Sequence, residues 1–129
     1  MIRVWLLAPL WLAVNVHAET PQQILAAFIS EAGGTASSAH GERLFRGRFS
    51  GGKSVESCTA CHSEDPKATG QHIKTRKAID PIAPVVQRDR FSDPAKVEKW
   101  FKRNCPEVLG RGCTAQEKAD FTAYMISVK

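Results

Sequence analysis

The stretch Ser57-Cys58-Thr59-Ala60-Cys61-His62 decides how this chain folds. Two cysteines spaced by two residues, with a histidine directly after the second, form the CxxCH signature of c-type haem attachment. The spacing has a physical reason. One helical turn presents both thiols to the vinyl groups of one porphyrin edge, and the next side chain points inward at the iron. Cys58 and Cys61 are therefore expected to hold one covalent haem c, with His62 as axial ligand. Other uses of the cysteines fit less well. A thioredoxin-like redox pair needs a βαβ setting, and the chain shows no parallel-strand pattern. A structural zinc site built from Cys58, Cys61, Cys105 and Cys113 needs two compact ligand pairs, whereas Cys105 and Cys113 stand on either side of Pro106 to Gly112.

Upstream, Arg3 precedes an apolar run from Val4 to Val16 that ends in Val16-His17-Ala18. A basic start, a short apolar stretch and small residues before a cut make a secretory signal peptide. The run is shorter than the roughly 20 residues that span a bilayer. Residues 1–18 are expected to be a signal peptide cleaved after Ala18, and residues 19–129 the mature domain, exported to the periplasm with no membrane span of its own. Trp5 and Trp11 also suit a membrane interface, so an uncleaved anchor is the alternative. In an oxidising compartment the two cysteines left after haem attachment, Cys105 and Cys113, are expected to be joined.

The chain has 129 residues, enough for one domain, and a formal net charge of +5, from which cleavage removes only Arg3. So modest a balance does not call for nucleic acid as partner. Arg43, Arg46, Arg48 and Lys53 suit a docking rim for an acidic protein, or equally a solvated face.

Local signals place the helices. Thr20 is an N-cap with Pro21 at the first helical position and Gln23 reaching back, predicting a helix to about Ala32. Gly33-Gly34-Thr35 breaks it, and Ser37 or Ser38 caps a short helix through Gly41, Leu44 and Phe45. Gly47 to Ser54 is a basic loop. Residues 63–86 hold Pro66, Gly70, Pro81 and Pro84 without sustained periodicity, so they read as an extended loop wrapping a large cofactor. Asp93-Pro94 opens a helix whose Val97, Trp100 and Phe101 form one stripe, continued by Asn104. Thr114, with Glu117 three residues on, opens the last helix, which carries Phe121, Tyr124, Met125 and Val128. Nothing reads as a strand. The expected fold is all-α, a single domain of helices around one haem, with Trp100, Phe101, Phe91 and Val97 as pocket wall.

The second axial ligand is less plain. Met1 leaves with the signal peptide, and Met125 belongs in the core of the last helix. His40 and His72 read as surface residues, with His72 the one histidine in reach as a ligand. Asn104 lies near the end of its stripe, where periodicity alone favours a C-terminal cap. Lys74 and Arg76 are the candidates to meet the haem propionates, and the Pro84 carbonyl or a neighbour is the candidate acceptor for Nδ1 of His62.

The run Asp93-Pro94-Ala95-Lys96-Val97-Glu98-Lys99-Trp100-Phe101-Lys102-Arg103-Asn104-Cys105, then Gly110-Arg111-Gly112-Cys113-Thr114 and Glu117-Lys118-Ala119-Asp120, resembles the sphaeroides haem protein family of high-spin class I c-type cytochromes. The likeness extends to Ser57 through His62, to Ile82-Ala83-Pro84 and to Arg90-Phe91-Ser92, and so covers most of the mature chain. Gly41 with Leu44-Phe45 is similar to the N-terminal helix of class I cytochromes, where it crosses the C-terminal helix. The resemblance implies that Asn104 ligates ferric iron through its side-chain oxygen and acts as a displaceable gate, and it implies a Cys105–Cys113 bridge. It also implies that O2, NO or CO binds on reduction and that electrons come from a dihaem c-type cytochrome. A plain electron carrier, six-coordinate in both oxidation states, is the other expectation. No residue identifies itself as a distal acid or base, which leaves open whether the chain is an enzyme.

Overall fold

The computed structural model describes residues 17–129, so nearly all of the expected signal peptide lies outside the described residues. The elements run α1 (Pro21–Ala32), α2 (Ser38–Arg46), α3 (Thr59–His62), β1 (Gly70–Gln71), β2 (Ala78–Ile79), α4 (Pro94–Leu109) and α5 (Ala115–Ser127). Each long helix starts where a side chain satisfies free N–H groups. Thr20 and Gln23 form a full capping box on α1, Ser37 accepts from the His40 amide on α2, Asp93 accepts from the Lys96 amide on α4, and Thr114 and Glu117 form a second capping box on α5.

The helix α5 packs against both α1 and α2. The crossing with α2 is close because residue 41 has no side chain: a Cβ there would lie 1.9 Å from the Asp120 carbonyl oxygen. Aromatic rings bind the helices together. Phe28 of α1 meets Phe101 of α4 edge-on at 5.7 Å, Phe101 meets Phe121 of α5 at 5.7 Å, and Phe45 of α2 meets Phe121 at 6.2 Å and Tyr124 at 5.8 Å. Such pairs add about 0.5–1.5 kcal/mol each to the burial of the rings. Met125 is fully buried among them, as a core residue.

Three features depart from the sequence expectations. The helix α4 does not end near Asn104. It continues through Pro106 to Leu109 and is closed by Gly110, whose left-handed backbone sends its N–H to the Pro106 carbonyl. Asn104 is therefore not a C-terminal cap. Pro106 forfeits one ladder bond, but Cys105 and Val108, each 6 % exposed, bury against the core and keep the last turn helical. Secondly, the wrapping loop contains a two-residue antiparallel ladder, with Gly70 opposite Ile79 and Gln71 opposite Ala78. Thirdly, the basic rim is partly neutralised: Arg46 pairs with Glu42 and Glu64, and Arg48 with Glu56. Among the described residues no helix is long and apolar enough to cross a membrane.

Candidate functional site

The helices leave a cavity of about 540 Å³ between α3, the wrapping loop and α4. That is the size of a cofactor site. Cys58, Cys61 and His62 line one side, and Trp100, Phe101 and Asn104 of α4 line another, with Phe91 and Val97 completing the wall. Most of the expected site residues thus meet at one place. Phe101 lines the cavity as expected, and its ring also meets Phe28 and Phe121 in the core.

The turn that carries the thiols is short and well held. Ser57 Oγ accepts from the Ala60 amide at 3.2 Å, and the His62 amide donates to the Cys58 carbonyl at 3.1 Å. Both cysteine side chains are half-buried. Before haem attachment, burial would push the Cys58 thiol up to about 11. Burial, helped by the Arg90 guanidinium, pulls the His62 imidazole down to about 4. His62 is therefore neutral at physiological pH, with a lone pair to offer a metal. No hydrogen bond joins its ring to the Pro84 carbonyl among the described residues.

Two contacts fix this turn from outside. A Cβ on Gly70 would lie 2.1 Å from the Cys61 carbonyl oxygen, so β1 lies directly against α3. Directly after His62, Ser63 has φ 67° and ψ 165°, a region that is almost exclusive to glycine and costs about 1–3 kcal/mol. Arg46 holds the chain beyond it, donating at 3.0 Å to both the backbone carbonyl and the carboxylate of Glu64. Its other Nη reaches the Tyr124 hydroxyl at 3.3 Å. Arg46 is thus a strut behind the haem motif.

Arg90 is the residue that sequence reasoning missed. Its Nε donates to the Pro81 carbonyl at 2.9 Å and an Nη to the Asp80 carbonyl at 2.8 Å, while the guanidinium lies 4.9 Å from the centre of the Trp100 ring. It lines the cavity and has no carboxylate partner among the described residues. A fixed cation facing an apolar cavity fits the carboxylates of a haem. Of the two residues expected there, Lys74 lines the cavity, whereas Arg76 lies instead at a smaller depression behind α3. The sequence offered only Arg90-Phe91-Ser92 as a matched tripeptide, with no sign of the carbonyls that pin the side chain.

Asn104 is exposed on the cavity side of α4, and its Oδ1 accepts from Arg103 Nε at 3.4 Å. The next residue, Cys105, is joined to Cys113, with Cα atoms 5.6 Å apart. That bond takes both cysteines out of any zinc site, and no cluster of three or more metal-ligating side chains occurs among the described residues. His72 also lines the cavity, but its Nδ1 accepts the backbone N–H groups of Lys74 and Thr75, each at 3.2 Å. Those two hydrogen bonds occupy the Nδ1 lone pair and tie the ring to its own turn.

A family model described as "Domain of unknown function (DUF1924)" matches residues 31–125. The chain is 45% identical over 107 residues to the cytochrome c-type protein SHP of Cereibacter sphaeroides, covering 82% of each, and 43% identical over 70 residues to cytochrome c'' of Methylophilus methylotrophus, covering 54% of this chain and 49% of the relative. Among solved structures it is similar to oxidised SHP, an oxygen-binding cytochrome c, with a TM-score of 0.81 at 44% identity over 84% of this chain and 96% of the other. The crystal structure of oxidised cytochrome c'' gives 0.72 at 30% identity, over 84% and 94%. The fold is that of a class I cytochrome c, and a covalent haem c is its cofactor. The chain belongs to the sphaeroides haem protein family of monohaem c-type cytochromes.

Proposed function

We propose that this cytochrome takes up O2, NO or CO in its reduced state, with Cys58 and Cys61 tethering the haem, His62 ligating iron on one side and Asn104 Oδ1 serving as a displaceable ligand on the other. The observation that carries the proposal is the shared cavity: His62 and Asn104 both line it, while Nδ1 of His72, the competing ligand, accepts two backbone N–H groups. Haem iron, when bound, would supply a one-electron couple and a metal site open to a small gas where the protein ligand is weak. The protein's part is to provide that weak ligand. An amide oxygen is a hard, neutral donor that suits ferric iron and holds the softer ferrous ion poorly. Once off the metal, the same side chain has two N–H donors to offer a diatomic guest. Trp100 and Phe91, edge-on at 6.4 Å, form an apolar part of the cavity wall, and Arg90 would hold the cofactor's carboxylates.

The relatives support the same chemistry: SHP is an oxygen-binding cytochrome c, and the solution structure of cytochrome c'' concerns haem-ligand detachment. Residues 1–18 act as a signal peptide cut after Ala18, residues 19–129 function in the periplasm, and a partner cytochrome, such as a dihaem c-type protein, supplies the electron. The alternative is a plain carrier that keeps six ligands in both oxidation states; were Nδ1 of His72 the sixth ligand, it would have to give up its turn-stabilising hydrogen bonds. Absorption spectra of the ferric and ferrous holoprotein, with CO then added, decide between the two. A prompt CO shift of a high-spin ferrous spectrum is expected, and an Asn104→Ala variant should alter the ferric spectrum. A sharp, low-spin, CO-inert ferrous form would refute the proposal.

A further inference from the structure

We infer that Arg103 is a positioning residue for Asn104, holding its amide oxygen so that ligation to iron stays weak and the displaced amide turns its NH2 toward the guest. The inference rests on the reading of Asn104 as an iron ligand. Arg103 and Asn104 both line the cavity, and Arg103 Nε donates to Asn104 Oδ1 at 3.4 Å, a long hydrogen bond. It is the one hydrogen bond that Arg103 makes among the described residues, and Arg103 forms no ion pair there. The obvious partner, Glu107 one turn further along α4, is occupied instead by the Ser54 hydroxyl. A whole cation is thus left to a single neutral amide.

That arrangement has two chemical effects. An amide oxygen carries two lone pairs, and its nitrogen only donates. A guanidinium N–H on one lone pair draws electron density from the other, so the oxygen becomes a poorer donor to ferric iron, and the two cations repel across it. With Oδ1 retained by Arg103, the amide also keeps one orientation when it leaves the metal. The NH2 group is then what a diatomic guest meets. The backbone at this point is anchored by the Cys105–Cys113 bond, so the exchange requires only side-chain rotation. Arg103 itself is exposed and contributes little to folding, so substitutions are tolerated.

The test is a titration of the ferric holoprotein with imidazole, followed by absorption, for Arg103→Ala and Arg103→Lys in the wild-type and Asn104→Ala backgrounds. Imidazole competes with Asn104 for the iron, so a stronger Asn104 bond appears as weaker imidazole binding. Arg103→Ala should lower the apparent affinity by roughly three- to tenfold, the net worth of one hydrogen bond, and Arg103→Lys should recover part of it. Asn104→Ala should raise the affinity, and adding Arg103→Ala there should change nothing further. If Asn104→Ala raises the affinity but Arg103→Ala leaves it unchanged or higher, the Arg103 inference alone is overturned. If Asn104→Ala changes neither the affinity nor the ferric spectrum, the ligand reading fails and takes this inference with it.

Discussion

Replacing Gly41 by alanine should separate the two helices on which the domain is built. The new Cβ would stand 1.9 Å from the Asp120 carbonyl oxygen, 2.5 Å from its carbon and 2.8 Å from Tyr124 Cβ. Ordinary contacts begin at about 3.5 Å, and backbone atoms of α5 cannot rotate aside, so α2 must retreat by roughly 1.5 Å. Retreat loosens Phe45, which is fully buried against Phe121 and Tyr124, and lengthens the 2.7 Å hydrogen bond from the Ser37 amide to Asp120 Oδ1. Overpacking of this kind costs about 1–3 kcal/mol, and uncovering some 60 Å² of apolar surface costs about 1.5 kcal/mol more. Alanine's better helix propensity returns about 1 kcal/mol. The net loss is about 1.5–3.5 kcal/mol. At roughly 4 °C per kcal/mol for a domain of this size, the ferric holoprotein should melt about 6–14 °C lower by circular dichroism. A melting temperature equal to or above that of the wild type would show that propensity governs residue 41 and that the close crossing is not tight in solution.

Gly70→Ala applies the same argument to the haem motif: with Cys61 O only 2.1 Å from the new Cβ, α3 is displaced and the ratio of haem to protein absorbance in the purified product should fall, while a fully loaded product would show that β1 can yield. The pH dependence of stability should carry the mark of Glu117, whose carboxyl is held below its ordinary value of 4.5, first by its hydrogen bond from Arg111 and opposed by partial burial. A depressed carboxylate stabilises the fold fully above the ordinary value, and the contribution is lost as pH falls through the folded-state value. The gap in melting temperature between wild type and Arg111→Ala should therefore close below about pH 4.5, and a gap that stays constant down to pH 3 would rule the pair out as its source.

What was legible in the sequence was local. Thr20 with Gln23, Ser37, Asp93, and Thr114 with Glu117 cap their helices through groups within three residues, so the pattern contains the whole interaction. The stripe of Val97 and Phe101 likewise has no alternative burial. The illegible parts depend on distant partners. The turn of α4 beyond Pro106 is held by burial of Cys105 and Val108, which outweighs a local helix breaker. Strands of two residues leave no alternation to detect. The neutralised rim was half visible, since Glu42 and Arg46 are four apart, but Glu64 reaches Arg46 only because the chain reverses at Ser63. Arg90 was overlooked because its partners, Asp80 and Pro81, are carbonyls of an irregular loop.

These observations also explain why a displaceable ligand is compatible with a rigid fold. The buried residues of α4, Val97, Phe101, Cys105 and Val108, fix that helix against the rest of the core, while Trp100 and Asn104 project into the cavity between them. His62 is fixed by different means, through Gly70 at its back and Arg46 on Glu64. Neither side of the site can drift without breaking core contacts. The freedom needed for exchange is confined to the rotation of one short amide side chain, which is exposed and held by a single long hydrogen bond. On the proposed function, the contrast between a tightly supported His62 and a loosely held Asn104 is what makes one axial ligand permanent and the other conditional on oxidation state.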